Sequence, residues 1–326
     1  MKHAIIGASG HFEYALQAMA YLEIDRFVGF APGSPDEDVK SAYQEHFEAA
    51  GTKYYDDYLE MLDKERPDVV VINPHYYLNG PITIACMERG IHCFVEKPIC
   101  FNLEELAAIE RLATEGEAQI AAMMYYRYQP AFHAAIQAIE DGKIGVPLLI
   151  TAQKSYKMGV KPPWTHSRAK FGGIIPWVGA HAIDLLYLIT GGEIAAVTAE
   201  TSLEGNHGFG EVEASALCCY RLNNGGNASI NLDYLRPESA PTHGDDRLRV
   251  AGGKGVVEVI NDKASLITND GEIELMLSQE VPIYADFIRQ VITGEACRNP
   301  AEDVFSSAKL CIQTQEAANL NKEVTL

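Results

Sequence analysis

Three short stretches of this chain combine residue types that could do chemistry. Glu96-Lys97-Pro98 closes an apolar run with a lysine. A lysine shielded from water can shift its pKa and move a proton, and the proline biases Lys97 towards extended backbone. Farther on, Gly172, Gly173 and Gly179 lead to His181 and Asp184, which share a face if the segment is helical. Gly7-Ala8-Ser9-Gly10 follows the first apolar run. A strand-to-helix turn there would offer backbone N–H groups to an anion such as a dinucleotide pyrophosphate. The turn departs from G-x-G-x-x-G, with Ser9 at the second glycine and Phe12 at the third.

The elements that must position these residues begin with alternating short apolar runs and amphipathic stretches, the pattern of a parallel sheet with crossover helices. Ala4-Ile5-Ile6 reads as the first strand, Gly10 to Leu22 as a helix, and Phe27 to Phe30 as the second strand. Ser34-Pro35-Asp36-Glu37 has the form of a capping box, predicting a helix from there to Gly51. Strands follow near Lys53 to Tyr55, at Asp68 to Ile72, at Cys93 to Val95 and at Gln119 to Met124, with helices between them, one started by Asn102 and Glu105. Residues 1 to about 120 are therefore expected to form one doubly wound domain.

Open α/β sheets bind ligands outside the carboxyl ends of their strands. Those ends gather Gly7, Ser9, Gly10 and His11 after the first strand, Ser34 after the second, Asn73 and Pro74 after the fourth, and Glu96 and Lys97 after the fifth. This is the expected cofactor-binding set. The acid that holds a ribose, about 20 residues after the glycines, would fall on Pro32. Ser34 could bond a ribose or a 2′-phosphate instead, but Asp36 and Glu37 disfavour a phosphate, which leans the NAD(P) expectation towards NAD.

From residue 121 to 326 the texture changes to long strands joined by turn signals. Leu148 to Tyr156, Ala195 to Thr201, Glu213 to Arg221, Asn227 to Tyr234, Arg247 to Val250 and Val256 to Val259 read as strands, with Asn223-Asn224-Gly225-Gly226 as a hairpin turn. One helix, about Ile174 to Leu188, is embedded among them, and two more, Pro282 to Thr293 and Pro300 to Asn319, close the chain. The expected second domain is α+β, with a mostly antiparallel sheet and helices on one face.

A net charge of −19 repels phosphate backbones and anionic lipid heads, so neither nucleic acid nor a membrane surface is an expected partner. The seven cysteines form no CxxC pair, and the ten histidines no cluster at metal-ligand spacing, so no disulfide framework or metal site is expected. The run before Gly7 is too short for a signal peptide, and His181 and Asp184 interrupt the apolar stretch from Ile174 to Thr190. Retention in the cytoplasm is the expectation.

Taken in order, the GxxG turn, Glu96-Lys97-Pro98, Arg127 and Pro130 in YRYQP, Gly142-Lys143-Ile144-Gly145 before a strand, and GG…G-x-H-x-x-D from Gly172 to Asp184 resemble the glucose-fructose oxidoreductase / inositol dehydrogenase (Gfo/Idh/MocA) family. The resemblance covers essentially the whole chain. It implies an N-terminal Rossmann domain, then an α+β domain with a large, mostly antiparallel open sheet, and hydride transfer between a nicotinamide and a sugar, inositol or related polyol. By the same likeness Lys97 would contact nicotinamide and substrate, His181 would serve the reacting hydroxyl as acid or base, and the open sheet face would make a homo-oligomer, dimer or tetramer. Tyr126, Tyr156, Trp164 and Trp177 join Lys97 and His181 as the expected substrate-binding set, with Lys154, Lys157 and His166 nearby. The family pattern commonly has an aspartate where this chain has Trp177, four residues before the histidine. It also often has a histidine at the position of Leu78. A catalytically silent dinucleotide- or sugar-binding sensor of the same fold is the alternative.

Overall fold

The computed structural model describes residues 1–22, 27–47 and 51–326. The chain divides into two compact units, the first comprising Met1–Met123 and Val281–Ala308, the second Met124–Glu280 and Lys309–Leu326.

In the first unit, β1 (His3–Ile6), α1 (Glu13–Leu22), β2 (Phe27–Ala31), α2 (Val39–Phe47), β3 (Lys53–Tyr54), α3 (Tyr58–Glu65), β4 (Val69–Ile72), α4 (Asn79–Met87), β5 (His92–Val95), α5 (Leu103–Glu115) and β6 (Ile120–Ala122) alternate strictly. The sheet is parallel with strand order β3-β2-β1-β4-β5-β6. Val69, Val70, Val71 and Ile72 are fully buried, as a central strand covered on both faces requires. The Asn102 cap is formed, its Oδ1 accepting from Glu105 N at 2.8 Å.

Two expectations need correction here. The Ser34-Pro35-Asp36-Glu37 capping box does not form, and α2 begins only at Val39. Ser34 Oγ donates to Asp36 instead, the Glu37 carboxylate is drawn to the glycine turn, and Asp38 Oδ1 accepts from Ser41 N. The expected end of that helix before Gly51 lies outside the described residues. A single boundary near residue 120 also fails, because Val281–Ala308 belongs to the first unit. Tyr284 in that segment bonds His3 on β1 at 2.6 Å and packs on Phe94 of β5, covering apolar surface that the first 120 residues leave open.

The second unit contains α6 (Pro130–Glu140), β7 (Pro147–Lys157), α7 (Arg168–Phe171), a π-helical turn Ile175–Gly179 leading into α8 (Ala180–Thr190), then β8 (Ile194–Ser202), β9 (Ser215–Leu222), β10 (Asn227–Arg236), β11 (Gly244–Gly252), β12 (Gly255–Ile260), β13 (Lys263–Thr268) and β14 (Gly271–Glu274). After α9 (Ile283–Thr293) and the start of α10 (Ala301–Leu320) in the first unit, β15 (Val324–Thr325) adds the last strand. The nine-stranded sheet runs β14-β13-β12-β11-β7-β10-β9-β8-β15 and is antiparallel except between β7 and β10. Burial alternates along β9 and β10, so helices cover one face of the sheet while the other stays open. Asn223 to Gly226 makes the expected hairpin, with Gly225 at φ +83°. The sequence reading missed α6, whose start is set by Pro130 at its first turn and by Gln129, which accepts from Phe132 N at 3.0 Å. The apolar stretch within Arg168–Thr190 is mostly buried and forms part of the core of this unit.

Candidate functional site

In the first unit the glycine turn is held from five directions. Tyr43 Oη donates to Gly7 O at 2.6 Å and Tyr76 Oη to Ser9 O at 3.0 Å. Ser9 N donates to Asn73 O at 2.7 Å, joining the turn to the end of β4. The Glu37 carboxylate accepts from Ala8 N at 3.2 Å, Ser9 Oγ at 2.7 Å and Gly33 N at 2.8 Å. Gly7 has φ +80°, and a Cβ there would lie 2.3 Å from the Pro74 backbone, so the close crossing of β1 and β4 permits no side chain.

The fifth tie is the fully buried Glu96. Its Oε2 accepts from His11 N at 2.5 Å and lies 2.8 Å from His11 Nδ1, while its Oε1 accepts from Lys97 N at 2.8 Å. Burial alone would push this carboxyl up. The neighbouring His11, its hydrogen bond and the Lys97 charge outweigh that and hold it below the usual carboxylate range. A Cβ on Gly10 would meet the Glu96 carboxylate at 2.1 Å, which explains the second glycine. Asn79, which the sequence reading missed, donates to Glu96 O at 3.0 Å and to Pro98 O at 2.8 Å across the cis Lys97–Pro98 bond. No local pattern distinguishes it from a helix-start asparagine.

This strand edge suits a dinucleotide in two respects. Ala8 N and Ser9 Oγ already bind a carboxylate, the chain's own, so the turn accepts anionic or hydroxyl oxygens. Both amide atoms of the fully buried Asn73 lack a hydrogen-bond partner among the described residues, at the end of β4 where a ligand's polar groups would complete them. The structure therefore gathers Gly7, Ser9, Gly10, His11, Asn73, Pro74, Glu96 and Lys97 at one edge. Ser34 is there too, but its hydroxyl is engaged by Asp36.

In the second unit Tyr126 is the hub. Its ring stacks on Phe132 at 4.3 Å and on His181 at 5.1 Å, and its hydroxyl donates to Asp246 and accepts from Lys154 Nζ. Lys154 and Asp246 face each other across the β7–β11 pairing, 3.3 Å apart. Burial pulls the Lys154 ammonium down to about 8 against the opposing attraction of Asp246, and burial raises the Tyr126 phenol. Asp246 was missed because its signal, a cross-strand partner for a buried lysine, exists only once strands pair.

His181 is buried on α8, just after the π-helical turn that carries Trp177. π-turns often mark functional positions in helices. Asp184 shares its helix, and its carboxylate is engaged bidentately by Arg127, at 2.8 and 2.7 Å. Trp177 packs against Phe171 with centroids 6.3 Å apart. Tyr156 stacks on His243 at 5.2 Å, and Trp164 lies in the 3₁₀ turn Pro163–His166.

Residues 1–124 match the family model described as an oxidoreductase family with an NAD-binding Rossmann fold, and residues 132–258 match that of the GFO/IDH/MocA C-terminal domain. A scyllo-inositol 2-dehydrogenase (NAD(+)) from Bacillus subtilis is 26% identical over 63% of this chain and 58% of its own length. A myo-inositol 2-dehydrogenase from Thermotoga maritima is 25% identical over 66% of this chain and 63% of its own. The matched region thus spans about three fifths of these curated relatives. A solved structure from Thermotoga maritima, described there as an oxidoreductase, superposes with a TM-score of 0.95 and 39% identity over 100% of both chains.

Proposed function

Because the chain belongs to the GFO/IDH/MocA family of oxidoreductases, we propose that it transfers a hydride between a nicotinamide dinucleotide and a hydroxyl carbon of a sugar-like or polyol substrate. The observation that carries this reading is the bond network through Glu96, which makes the glycine turn and Lys97 a single construction at the ligand edge of a dinucleotide fold. NAD is favoured over NADP. The Glu37 carboxylate, which bonds the turn and Gly33 N, would accept from ribose hydroxyls and repel a 2′-phosphate.

The bound nicotinamide supplies one piece of chemistry, accepting or returning a hydride. This chain's residues do the rest. Glu37, Ser9 and Ala8 N bind the dinucleotide's oxygens, and Asn73 and Pro74 line its path towards Lys97. Lys97 donates to the reacting oxygen and orients it. The His181 imidazole takes the hydroxyl proton as the hydride leaves carbon, and returns it in the reverse direction. With Trp177 in place of the family's aspartate, the ring of Tyr126 orients the imidazole. Trp164 and Tyr156 bound the substrate.

The relatives named for inositol oxidation support a polyol as the substrate class. Action in the cytoplasm as a homo-oligomer, dimer or tetramer, belongs to the same proposal. Exposed Leu149, Leu217 and Leu235 on the open sheet face support the oligomer.

A polyol and sugar panel followed at the nicotinamide absorbance tests the proposal, with the parent, Lys97→Met and His181→Ala compared. Turnover in the parent that falls about 10²-fold or more in both variants, at unchanged melting temperature, is the expected result. Tight dinucleotide binding without turnover on any member would favour the sensor reading, to which Trp177 already lends weight.

A further inference from the structure

The loop after β7 holds an ammonium that the mechanism does not use. Lys161 Nζ sits 3.9 Å above the ring of Tyr234. No carboxylate or other hydrogen-bond acceptor reaches it among the described residues, and burial alone pulls it down to about 8. Tyr234 offers only its π face. Its own hydroxyl is buried without a hydrogen-bond partner among the described residues. The nearest acid to that tyrosine, Glu213, is neutralised by Arg168 at 2.5 Å and accepts from Ile174 N. Pro162 and Pro163 follow Lys161 and stiffen the loop that presents it.

The sheet places this cation beside the candidate site. Leu232 on β10 pairs with Lys154 on β7, so Tyr234, two residues on, stands next to Tyr156 on the covered face of the sheet. Tyr156 lies under Lys154 Nζ at 4.8 Å. Lys161 is thus one strand over from the Lys154–Tyr126–Asp246 group against which His181 stacks.

We propose that Lys161 binds a carboxylate of the substrate, so that the polyol this chain acts on is a sugar acid, a uronate or aldonate, rather than a neutral sugar or inositol. The inference rests on the oxidoreductase reading and narrows its substrate class. A carboxylate fits better than a phosphate. One lysine is a point charge that balances a monoanion, whereas a phosphate dianion calls for an arginine fork or several donors. Lys154 is not available for the role, since Asp246 and Tyr126 already occupy it.

The test is calorimetric titration of the full chain, with NAD present, using D-glucuronate against D-glucose, D-gluconate against sorbitol, and glucose 6-phosphate. At least one acid should bind about tenfold or more tighter than its neutral partner, as one partly desolvated charge pair predicts. Lys161→Met should erase that ratio without changing NAD affinity, and Lys161→Arg should keep most of it. Equal binding of acid and neutral partners, no binding of either acid, or a preference that survives in Lys161→Met would overturn the inference. Tighter binding of glucose 6-phosphate than of both acids would overturn it in favour of a phosphate. Turnover is recorded separately. Acid-selective binding without hydride transfer leaves the carboxylate site standing and rejects the oxidoreductase reading, while turnover of neutral polyols with no acid preference does the reverse.

Discussion

At the scale of single residues, the glycine turn shows how one position can serve folding and binding together. Gly7 is needed because Pro74 crosses it within a Cβ's reach and because its φ is positive. Gly7→Ala is therefore expected to lower the melting temperature sharply before any ligand is added, which differential scanning calorimetry would show. Glu37 separates the two roles better, since its partners are a backbone turn and a serine on the ligand edge. In Glu37→Gln the negative charge is lost while the shape is kept. The ratio of NADPH to NADH dissociation constants should fall by about tenfold, as expected for one charge, and fluorescence titration checks it. On the proposed mechanism Lys154 acts through Tyr126 as a positioning residue. Lys154→Met should then lower kcat by up to about 10²-fold while leaving KM for NAD unchanged. A loss of NAD affinity in that variant would reject the positioning role.

At the scale of elements, two buried contacts decide how helices sit on their sheets. His3 on β1 bonds Tyr284 on α9, and burial, with the nearby N-terminal charge, pulls the imidazole down to about 4. Because the folded value lies below the unfolded one, the unfolded chain takes the proton first as pH falls. The stabilisation is complete above about pH 6.5 and is lost progressively between there and about pH 4, by roughly 3 kcal/mol in all. Urea unfolding of the parent should show this slope, and His3→Phe should flatten it. In the second unit, the buried pair of Arg127 and Asp184 ties the YRYQP turn to α8. Arg127→Met should cost about 3–5 kcal/mol by stranding the carboxylate, and Arg127→Met with Asp184→Leu should recover most of it. If the double variant is no more stable than the single one, the pair is not the connection that matters.

At the scale of the whole molecule, the chain leaves the first unit at residue 123 and returns to it at residue 281. Tyr284 and Phe287 of the returning segment pack on Phe94 of β5, and that apolar surface would otherwise meet water. A fragment of residues 1–123 alone should bind a hydrophobic dye and unfold without cooperativity. Supplying residues 281–308 through a flexible linker should restore a cooperative transition by circular dichroism. A cooperative fold for the shorter fragment would show that the returning segment is dispensable.

The sequence by itself determined whatever depends on neighbours along the chain: the alternation of strands and helices in residues 1 to 120, the Asn102 cap, the Asn-Asn-Gly-Gly hairpin, and the ordered motifs that point to the family. Period and turn chemistry are local, so these were legible. Only the tertiary structure decided where side chains with several local uses would be spent. Glu37 looks like a capping residue and instead bonds the glycine turn, because two donors from that distant turn, with Gly33 N nearby, outcompete its own helix start. Asp184 shares a helix face with His181, and its carboxylate is held by the Arg127 fork from a distant turn. Asp246 and the cover that α9 gives to β5 carry no local signature at all. They depend on which strands pair and on where the chain returns, and long-range burial, not periodicity, settles both.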